Sequence, residues 1–223
     1  MSPQSYTSSS NDDTWRIFRI MAEFVEGFET LSKMGPCVTI FGSARTPKEN
    51  KYYNLTEQLA AIAVKNGYGV ITGGGGGIME AANKGAFKEK GASIGLNIQL
   101  PFEQAANPYI KTLISFRHFF CRKVMFLKYT SAVIVLPGGF GTMDELFETL
   151  TLVQTHKSKN LPVILMGNEY WKGMVDWLRT STIGENYISP EDINLITSTD
   201  DPEKAISTIN EFYKKRDTTE NFS

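Results

Sequence analysis

Residues 132–148 read AVIVLPGGFGTMDELFE, and this stretch decides the fold. Its first part, Ala132–Leu136, is a short and uniformly apolar run, which is typical of a parallel strand buried on both faces. Glycines at 138, 139 and 141 follow, and apolar residues between Gly141 and Thr155 then recur with the spacing of a helix. The stretch therefore predicts a strand, a glycine turn and a helix that begins at the turn.

The same order of elements recurs along the chain. Residues 68–90, YGVITGGGGGIMEAANKGAFKEK, predict the strand Tyr68–Thr72, a loop of five glycines and the helix Ile78–Lys90. Further strands are predicted at Cys37–Phe41, Ser93–Ile98, Leu113–Phe116, Pro162–Met166 and Asn194–Thr197, and further helices at Thr14–Met34, Tyr52–Asn66, Phe119–Tyr129, Tyr170–Arg179 and Pro202–Lys214. Such alternation predicts an α/β fold, a Rossmann-like doubly wound three-layer sandwich with a mainly parallel sheet.

Length and composition indicate a single domain. A chain of 223 residues with 41% hydrophobic content can bury one sizeable core, and no linker or repeat divides it. The polar start, residues 1–12, predicts a disordered tail, and residues 216–223 predict a flexible one. We therefore expect one folded domain over residues 13–215.

Charge and hydropathy exclude several classes of partner. With 23 Lys and Arg against 24 Asp and Glu, the net charge of -1 offers no electrostatic footprint for nucleic acid or an anionic membrane. Apolar runs such as Ala132–Leu136 reach about a quarter of the roughly 20 residues that a membrane-spanning helix needs. The N-terminus lacks the basic and apolar regions of a secretory signal. We expect a cytoplasmic protein without a membrane or nucleic-acid partner.

The cysteines and histidines give no metal-binding pattern along the chain. Cys37 and Cys121 are far apart, which excludes a disulfide framework in such a protein. His118 and His156 have no Cys, Asp or Glu at the spacing of a zinc knuckle. The sequence therefore predicts no metal site.

Two glycine loops follow predicted strands, where parallel sheets bind ligands. Backbone N–H groups of Gly74, Gly75 and Gly77 would face a phosphate at a helix N-terminus, where the macrodipole also favours an anion. A tight turn alone needs one or two glycines rather than five. The second loop offers Gly138, Gly139 and Gly141 with the Thr142 hydroxyl. Two such loops on one edge indicate a nucleotide, although neither fits the dinucleotide or Walker pattern.

Charged and polar side chains lie near the same edge. Arg122 and Lys123 open an otherwise apolar helix, where cations oppose the dipole, so they are either a solvated surface pair or an anion clamp. Glu145 would project from the second glycine loop into the crevice. Glu80 is either a helix cap or a ribose contact. Three further polar loop residues are weaker candidates for ligand contact: Ser43, Glu103 and Gln104.

Three motifs extend this interpretation. GGGxGxMEAANKGA, FFxRKxxFxKY and LPGGFGTxDELFE, in this order and spacing, resemble the Lonely Guy family of cytokinin riboside 5'-monophosphate phosphoribohydrolases, long labelled possible lysine decarboxylases. The resemblance covers about residues 38–177. The segments FGSAR at 41–45 and LPFEQ at 100–104 are similar to the longer bacterial branch. Gly76 departs from the family, in which many members have proline at this position.

The resemblance implies hydrolysis of the N-glycosidic bond of a nucleoside 5'-monophosphate. Glu145 matches the last position of PGGxGTxxE and would stabilise an oxocarbenium-like sugar or activate water. Arg122 would be its catalytic partner, and Lys123 would help to neutralise phosphate. No cofactor is implied, since pyridoxal-phosphate chemistry would require a Schiff-base lysine with a partner set that no lysine here has.

The sequence leaves two functions and several substrates open. The hydrolase would act on N6-prenylated AMP, on plain AMP or on other monophosphates. A carrier or sensor of a nucleotide or of molybdenum cofactor would use both glycine loops without needing Glu145. The resemblance also implies a homodimer or higher homo-oligomer, for which residues 14–34 and Phe119–Phe120 are candidate surfaces unless they pack on their own sheet.

Overall fold

Seven parallel strands form one sheet through the middle of the protein. The computed structural model describes residues 10–100 and 105–215, with side chains from residue 14 onward. The strands are β1 (Cys37–Phe41), β2 (Gly69–Thr72), β3 (Ser93–Ile98), β4 (Thr112–Phe116), β5 (Ala132–Val135), β6 (Val163–Leu165) and β7 (Ile196–Ser198). Their order is β4-β3-β2-β1-β5-β6-β7. The predicted Rossmann-like fold is confirmed, and the sheet is parallel throughout.

Helices cover both faces of the sheet. They are α1 (Ser10–Leu31), α2 (Lys51–Lys65), α3 (Ile78–Lys88), α4 (Phe119–Lys128), α5 (Phe140–Gln154), α6 (Asn168–Trp177) and α7 (Pro202–Lys214). One core contains buried side chains of α1, α4, α5 and α6, and the other contains those of α2, α3 and α7. Burial of apolar surface in these two cores stabilises the three-layer arrangement.

Strand β1 explains why the central strands are mostly apolar on both faces. Val38 and Ile40 pack into the core beneath α2 and α3, whereas Cys37 and Phe41 pack into the core beneath α1 and α4. All five residues of β1 are buried. Side chains of a strand alternate between faces, so a strand covered on both sides is mostly apolar, and the hydroxyl of the one polar residue of β1, Thr39, donates to the Phe126 carbonyl at 3.2 Å.

The order in which successive strands are added to the sheet reverses between β1 and β5, which is the topological switch point where such folds bind ligands. Backbone hydrogen bonds join three loops there. The Ser43 amide donates to the Pro137 carbonyl at 3.0 Å, and the Ile78 amide donates to the Ser43 carbonyl at 3.0 Å. The β1 loop thus lies between the two glycine loops and fixes both.

Capping distinguishes the helices at this edge from others. Helix α2 starts after Asn50, whose side chain accepts from the Tyr52 amide at 2.9 Å, and α7 starts after Asp201, whose side chain accepts from the Glu203 amide at 2.9 Å. Helices α3 and α5 instead follow Gly77 and Gly139, which provide no side-chain cap. The Ile78 amide of α3 is used by the Ser43 carbonyl, but the amides of residues 75–77 before it and of residues 140–142 in α5 have no acceptor among the described residues and remain available to a ligand.

Some boundaries differ from the sequence prediction. Helix α1 begins at Ser10, four residues before the predicted start at Thr14, while residues 1–9 and 216–223 lie outside the described residues. A π-helical turn at Leu178–Thr182 and a 3-10 helix at Pro190–Leu195 were not predicted. Among the described helices, none combines the length and hydropathy needed to span a membrane.

Candidate active site

A buried ion pair stands between the two glycine loops. Arg122 on α4 and Glu145 on α5 approach with Nη2 and Oε1 at 3.7 Å. Their side chains are 15% and 6% exposed, so most of the surrounding water is excluded. The structure therefore brings together the two residues that the sequence assigned to catalysis, although they belong to different helices.

The environment of Glu145 raises the pKa of its carboxyl group to near neutral pH. Burial raises the pKa of the Glu145 carboxyl to about 7, and the nearby charges of Arg122 and Lys123 partly oppose this effect. Burial also lowers the pKa of Arg122, which the charge of Glu145 counteracts. A carboxyl with a pKa near 7 can exchange protons efficiently at neutral pH.

The guanidinium of Arg122 has donors left over. It lies over the rings of Phe119 and Phe126, with its carbon at 5.4 and 5.3 Å from their centroids. Its Nε is buried and has no hydrogen-bond partner among the described residues. A Cβ atom added at Gly73 would lie 3.8 Å from Nη1, so the arginine reaches the five-glycine loop. Unpaired buried donors are rare, and a polar ligand would satisfy these.

Lys123 is held by the protein's own acids rather than exposed on the surface. Its ammonium pairs with Asp144 at 2.8 Å and with Glu148 at 2.9 Å, and its side chain is 17% exposed. Burial opposes the charged form, but hydrogen bonds to both carboxylates outweigh it and raise the pKa of Lys123. A phosphate would compete with two carboxylates for this lysine. The expected phosphate contact stays a prediction.

Helix α5 begins at Phe140, one residue earlier than predicted, and Asp144 and Glu145 lie in its second turn. Thr142 packs against the loop: a Cβ atom at Gly138 would lie 2.1 Å from its Oγ1, so residue 138 must be glycine. The amides of Phe140, Gly141 and Thr142 have no acceptor among the described residues. This first turn can therefore bind an anion.

The five-glycine loop combines structural and ligand-binding positions. Gly77 has a φ of 60°, and a Cβ atom there would lie 2.3 Å from the Ser43 carbonyl oxygen. Gly74 has a φ of 77°, and its amide donates to the Thr72 hydroxyl at 3.0 Å, so the expected free donor at Gly74 is already used. The amides of residues 75–77 have no acceptor within the described part of the chain.

A buried polar network beneath this loop was not predicted. The Asn107 amide nitrogen donates to the carbonyls of Gly74 and Gly75 at 3.2 and 3.0 Å and to Oδ1 of Asn83 at 2.9 Å. Asn83 also accepts from the Thr72 hydroxyl at 2.6 Å. The network fixes the carbonyls of the loop. Asn83 stands in a quoted motif, but no sequence signal marks Asn107.

The remaining predicted residues have mixed outcomes. Ser43 joins the loops through its backbone, and its hydroxyl accepts from the Arg45 amide at 3.1 Å. Glu80 pairs with Lys48 at 2.8 Å and accepts from the Tyr53 hydroxyl at 3.1 Å, so it joins the start of α3 to the segment after β1 and to α2. Glu103 and Gln104 lie outside the described residues.

A shallow depression of about 490 Å³ lies beside the ion pair along α5. Phe140, Met143 and Phe147 supply apolar walls, and Lys123 with its two acids supplies the polar side. Phe140 is 93% exposed. Neither Arg122 nor Glu145 lines the depression, so it neighbours the candidate site and does not contain the ion pair.

The model of the family described as possible lysine decarboxylase matches residues 79–209, which is more than half of the chain. The chain belongs to this family. The match includes α4 and α5 with both members of the ion pair, and it confirms the family resemblance, although it starts at Met79, after the five glycines.

Relatives in this family carry the names of N-glycosidic hydrolases. The chain is 26% identical over 175 residues to a cytokinin riboside 5'-monophosphate phosphoribohydrolase of Rhodococcoides fascians, covering 77% of this chain and 88% of the relative. It is 31% identical over 153 residues to a pyrimidine/purine nucleotide 5'-monophosphate nucleosidase of Escherichia coli strain K12, covering 60% of this chain but 33% of that protein.

A solved structure supports the fold. The molybdenum cofactor binding protein of Rippkaea orientalis is similar, with a TM-score of 0.58 and 22% identity, over 81% of this chain and 99% of that protein. At this identity the likeness establishes the shared architecture alone.

Proposed function

We propose that the protein is a nucleoside 5'-monophosphate phosphoribohydrolase, which releases a free base and ribose 5-phosphate. The observation that carries the proposal is the buried pair of Arg122 and Glu145 at the switch point, between two helix N-termini with free amides. Relatives named for this reaction support it.

The phosphate would bind at the helix N-termini. Amides of residues 75–77 and 140–142 lack acceptors among the described residues, and the dipoles of α3 and α5 add partial positive charge. Backbone donors suit this role because a fixed loop loses little conformational freedom when it binds. Asn107 contributes by holding the carbonyls of the first loop in place.

The reaction breaks the bond between C1' and the base nitrogen, whose electron pair leaves with the base. Positive charge then develops on the sugar, and the ionised Glu145 stabilises it while accepting a proton from the attacking water. The water oxygen forms the new bond to C1', and the departing base takes up one proton. Glu145 is suited to this step because burial raises its pKa to about 7.

Arg122 would orient the reacting groups. Its planar fork can contact Glu145 and a sugar or phosphate oxygen together, which suits the unpaired Nε. The aromatic rings beneath it restrict the guanidinium to one plane. Lys123 would partly neutralise the negative charges of Asp144 and Glu148, which limits the negative charge around Glu145.

Within this reaction class we propose N6-modified adenosine 5'-monophosphate as the substrate, because the relative matched over most of its length is named for cytokinin ribosides. The Escherichia coli relative, named for pyrimidine and purine nucleotides, favours a general nucleosidase as the second candidate. A carrier of a nucleotide or of molybdenum cofactor is the third, and it would have no use for the buried Glu145.

Product analysis separates these candidates. The purified protein is incubated with AMP and with isopentenyl-AMP, and free base and ribose 5-phosphate are quantified by chromatography. We expect base release, faster from isopentenyl-AMP, and a loss of about 10²-fold or more in Glu145→Ala. Glu203→Ala, which changes an exposed acid on α7, is the matched control. A carrier would cleave neither substrate, although a monophosphate would raise its melting temperature.

We also propose that the chain forms a homo-oligomer. Trp15, Phe18, Met21 and Val25 on the outer side of α1 are all more than half exposed, and Phe119 on α4 is 50% exposed. An apolar surface of this kind is typical of a contact between subunits.

A further inference from the structure

The inner side of α1 carries a buried carboxylate. Glu23 is 9% exposed and lies on the same side of the helix as Ile20 and Phe24, which pack against the core, and Leu31, which belongs to it. A carboxylate is costly to bury unless it is paired or binds a cation. The groups around the Glu23 carboxylate must therefore compensate the cost of its burial.

The carboxylate meets the start of α4. Its oxygens accept from the amides of Arg117 and His118, both at 3.2 Å, and Nδ1 of His118 lies 3.0 Å from Oε1. Helix α4 has no cap from its own His118 side chain, so Glu23 supplies acceptors at this end. These contacts account for the carboxylate, which also accepts a hydrogen bond from the neighbouring thiol of Cys121.

Cys121 lies in the first turn of α4 and completes a cluster. An oxygen of Glu23, a nitrogen of His118 and Sγ of Cys121 all lie within 4.8 Å of one another. One tetrahedral zinc ion holds such ligand atoms about 3.4–3.7 Å apart, given bonds of about 2.0–2.3 Å. The 3.0 Å between Nδ1 and Oε1 would have to lengthen by about half an ångström, and Sγ, which lies no more than 4.8 Å from the other two atoms, would have to move in by up to about 1.4 Å.

We propose that Glu23, His118 and Cys121 form a binding site for a divalent ion of the zinc class. Sulfur, nitrogen and oxygen donors together suit Zn²⁺ and its spectroscopic substitute Co²⁺, whereas Mg²⁺ and Ca²⁺ prefer oxygen alone. Side chains of His118 and Glu23 are 15% and 11% exposed, whereas Cys121 is fully buried, so the ion and a water as fourth ligand would have to enter beside His118 and Glu23.

This proposal goes beyond the hydrolase function and does not depend on it. The ion would join α1 to the first turn of α4, in which Arg122 directly follows Cys121. It would therefore position the arginine helix without touching the reacting atoms. The prediction of no metal site rested on spacing along the chain, and Glu23 is 95 residues from His118.

The chain supplies matched controls, because it contains two cysteines and two histidines. Cys121→Val and His118→Asn remove ligands. Cys37→Val and His156→Asn change the same residue types elsewhere, since Cys37 lies in β1 and His156 follows α5. Untagged full-length protein is stripped with EDTA and titrated with Co²⁺, and absorption reports the thiolate-to-cobalt charge-transfer band. Zn²⁺ content is then measured by mass spectrometry after gel filtration.

We expect one equivalent of Zn²⁺ or Co²⁺ in the parent protein and in both controls, with the charge-transfer band present. Cys121→Val should lose the band, and both ligand variants should lose stoichiometric binding. Each variant's melting curve without metal verifies that it is folded. Absence of binding to the folded parent, or equal binding by the folded ligand variants, would overturn the proposal. Base release from AMP tests the hydrolase separately, so either idea can fail alone.

Discussion

Replacing Glu145 with glutamine is expected to stabilise the protein, by an amount that grows with pH. Glutamine has nearly the shape of a protonated glutamate, and it places no charge at position 145, where the side chain is 6% exposed. The parent protein must bury the ionised carboxylate whenever the pH exceeds the pKa of about 7. Glu145, to which we assign the catalytic role, thus lowers the free energy of unfolding of the protein.

The size of the effect follows from proton linkage. The pKa is about 7 in the folded state and 4.5 in the reference state, so between these values the folded protein holds a proton that the unfolded chain has released. The parent therefore loses stability as pH rises through this window, at up to about 1.4 kcal/mol per pH unit, and the loss levels off above pH 7. Between pH 5 and 8 the variant should gain about 2–3 kcal/mol on the parent.

Urea unfolding of both proteins at pH 5, 6, 7 and 8 measures this difference. Groups that the two proteins share cancel in the comparison, and equal m-values verify that the unfolded states are alike. In an Arg122→Met background the window should extend to higher pH, because the guanidinium lowers the pKa of Glu145. A stability gap that stays constant from pH 5 to 8 would refute the assigned burial and charge of Glu145.

Three further predictions concern the rate, the loops and the assembly. The rate constant kcat/KM should rise with pH through an apparent pKa of about 7, because Glu145 acts in its ionised form; a flat pH profile from 5 to 9 would contradict that role. Gly77→Ala should lower the free energy of unfolding by about 1–3 kcal/mol, because the φ of residue 77 is 60° and the Ser43 carbonyl oxygen occupies the space of a Cβ atom. Gly141→Ala should raise the free energy of unfolding by up to about 1 kcal/mol, because no atom lies within 4 Å of a Cβ atom there. Equal effects of the two substitutions in urea unfolding would disprove this distinction. Val25→Asp should reduce the mass measured by light scattering if the outer side of α1 joins subunits, and an unchanged mass would exclude that surface.

The sheet and its ligand edge could be predicted because they depend on local patterns. Apolar runs such as Ala132–Leu136 predict buried strands, and the glycines after them predict helices that start without a side-chain cap. Glu145 and Arg122 were found through motifs whose spacing fixes their places on α5 and α4. The apolar pattern of α1 predicted a helix but not its orientation, because Glu23 faces inward while Met21 is exposed.

Partners that join distant elements could not be predicted. Asn107 contacts a loop more than 30 residues away, and its place depends on how the segment after β3 folds back. Lys123 pairs with two acids of α5 because the fold brings the first turn of α4 next to α5, which no periodicity within either helix reveals. Such pairs are set by tertiary packing, and the residue types alone are compatible with solvent exposure.

The role of the buried pair is tested most directly by measuring binding and turnover in the same variant. Glu145→Gln is titrated with AMP or isopentenyl-AMP by calorimetry, and base and ribose 5-phosphate are then quantified beside the parent protein. Our account predicts equimolar products from the parent, with binding retained and turnover lost by about 10²-fold or more in the variant. A variant that binds and cleaves as well as the parent would contradict the assignment of Glu145 as the catalytic carboxylate.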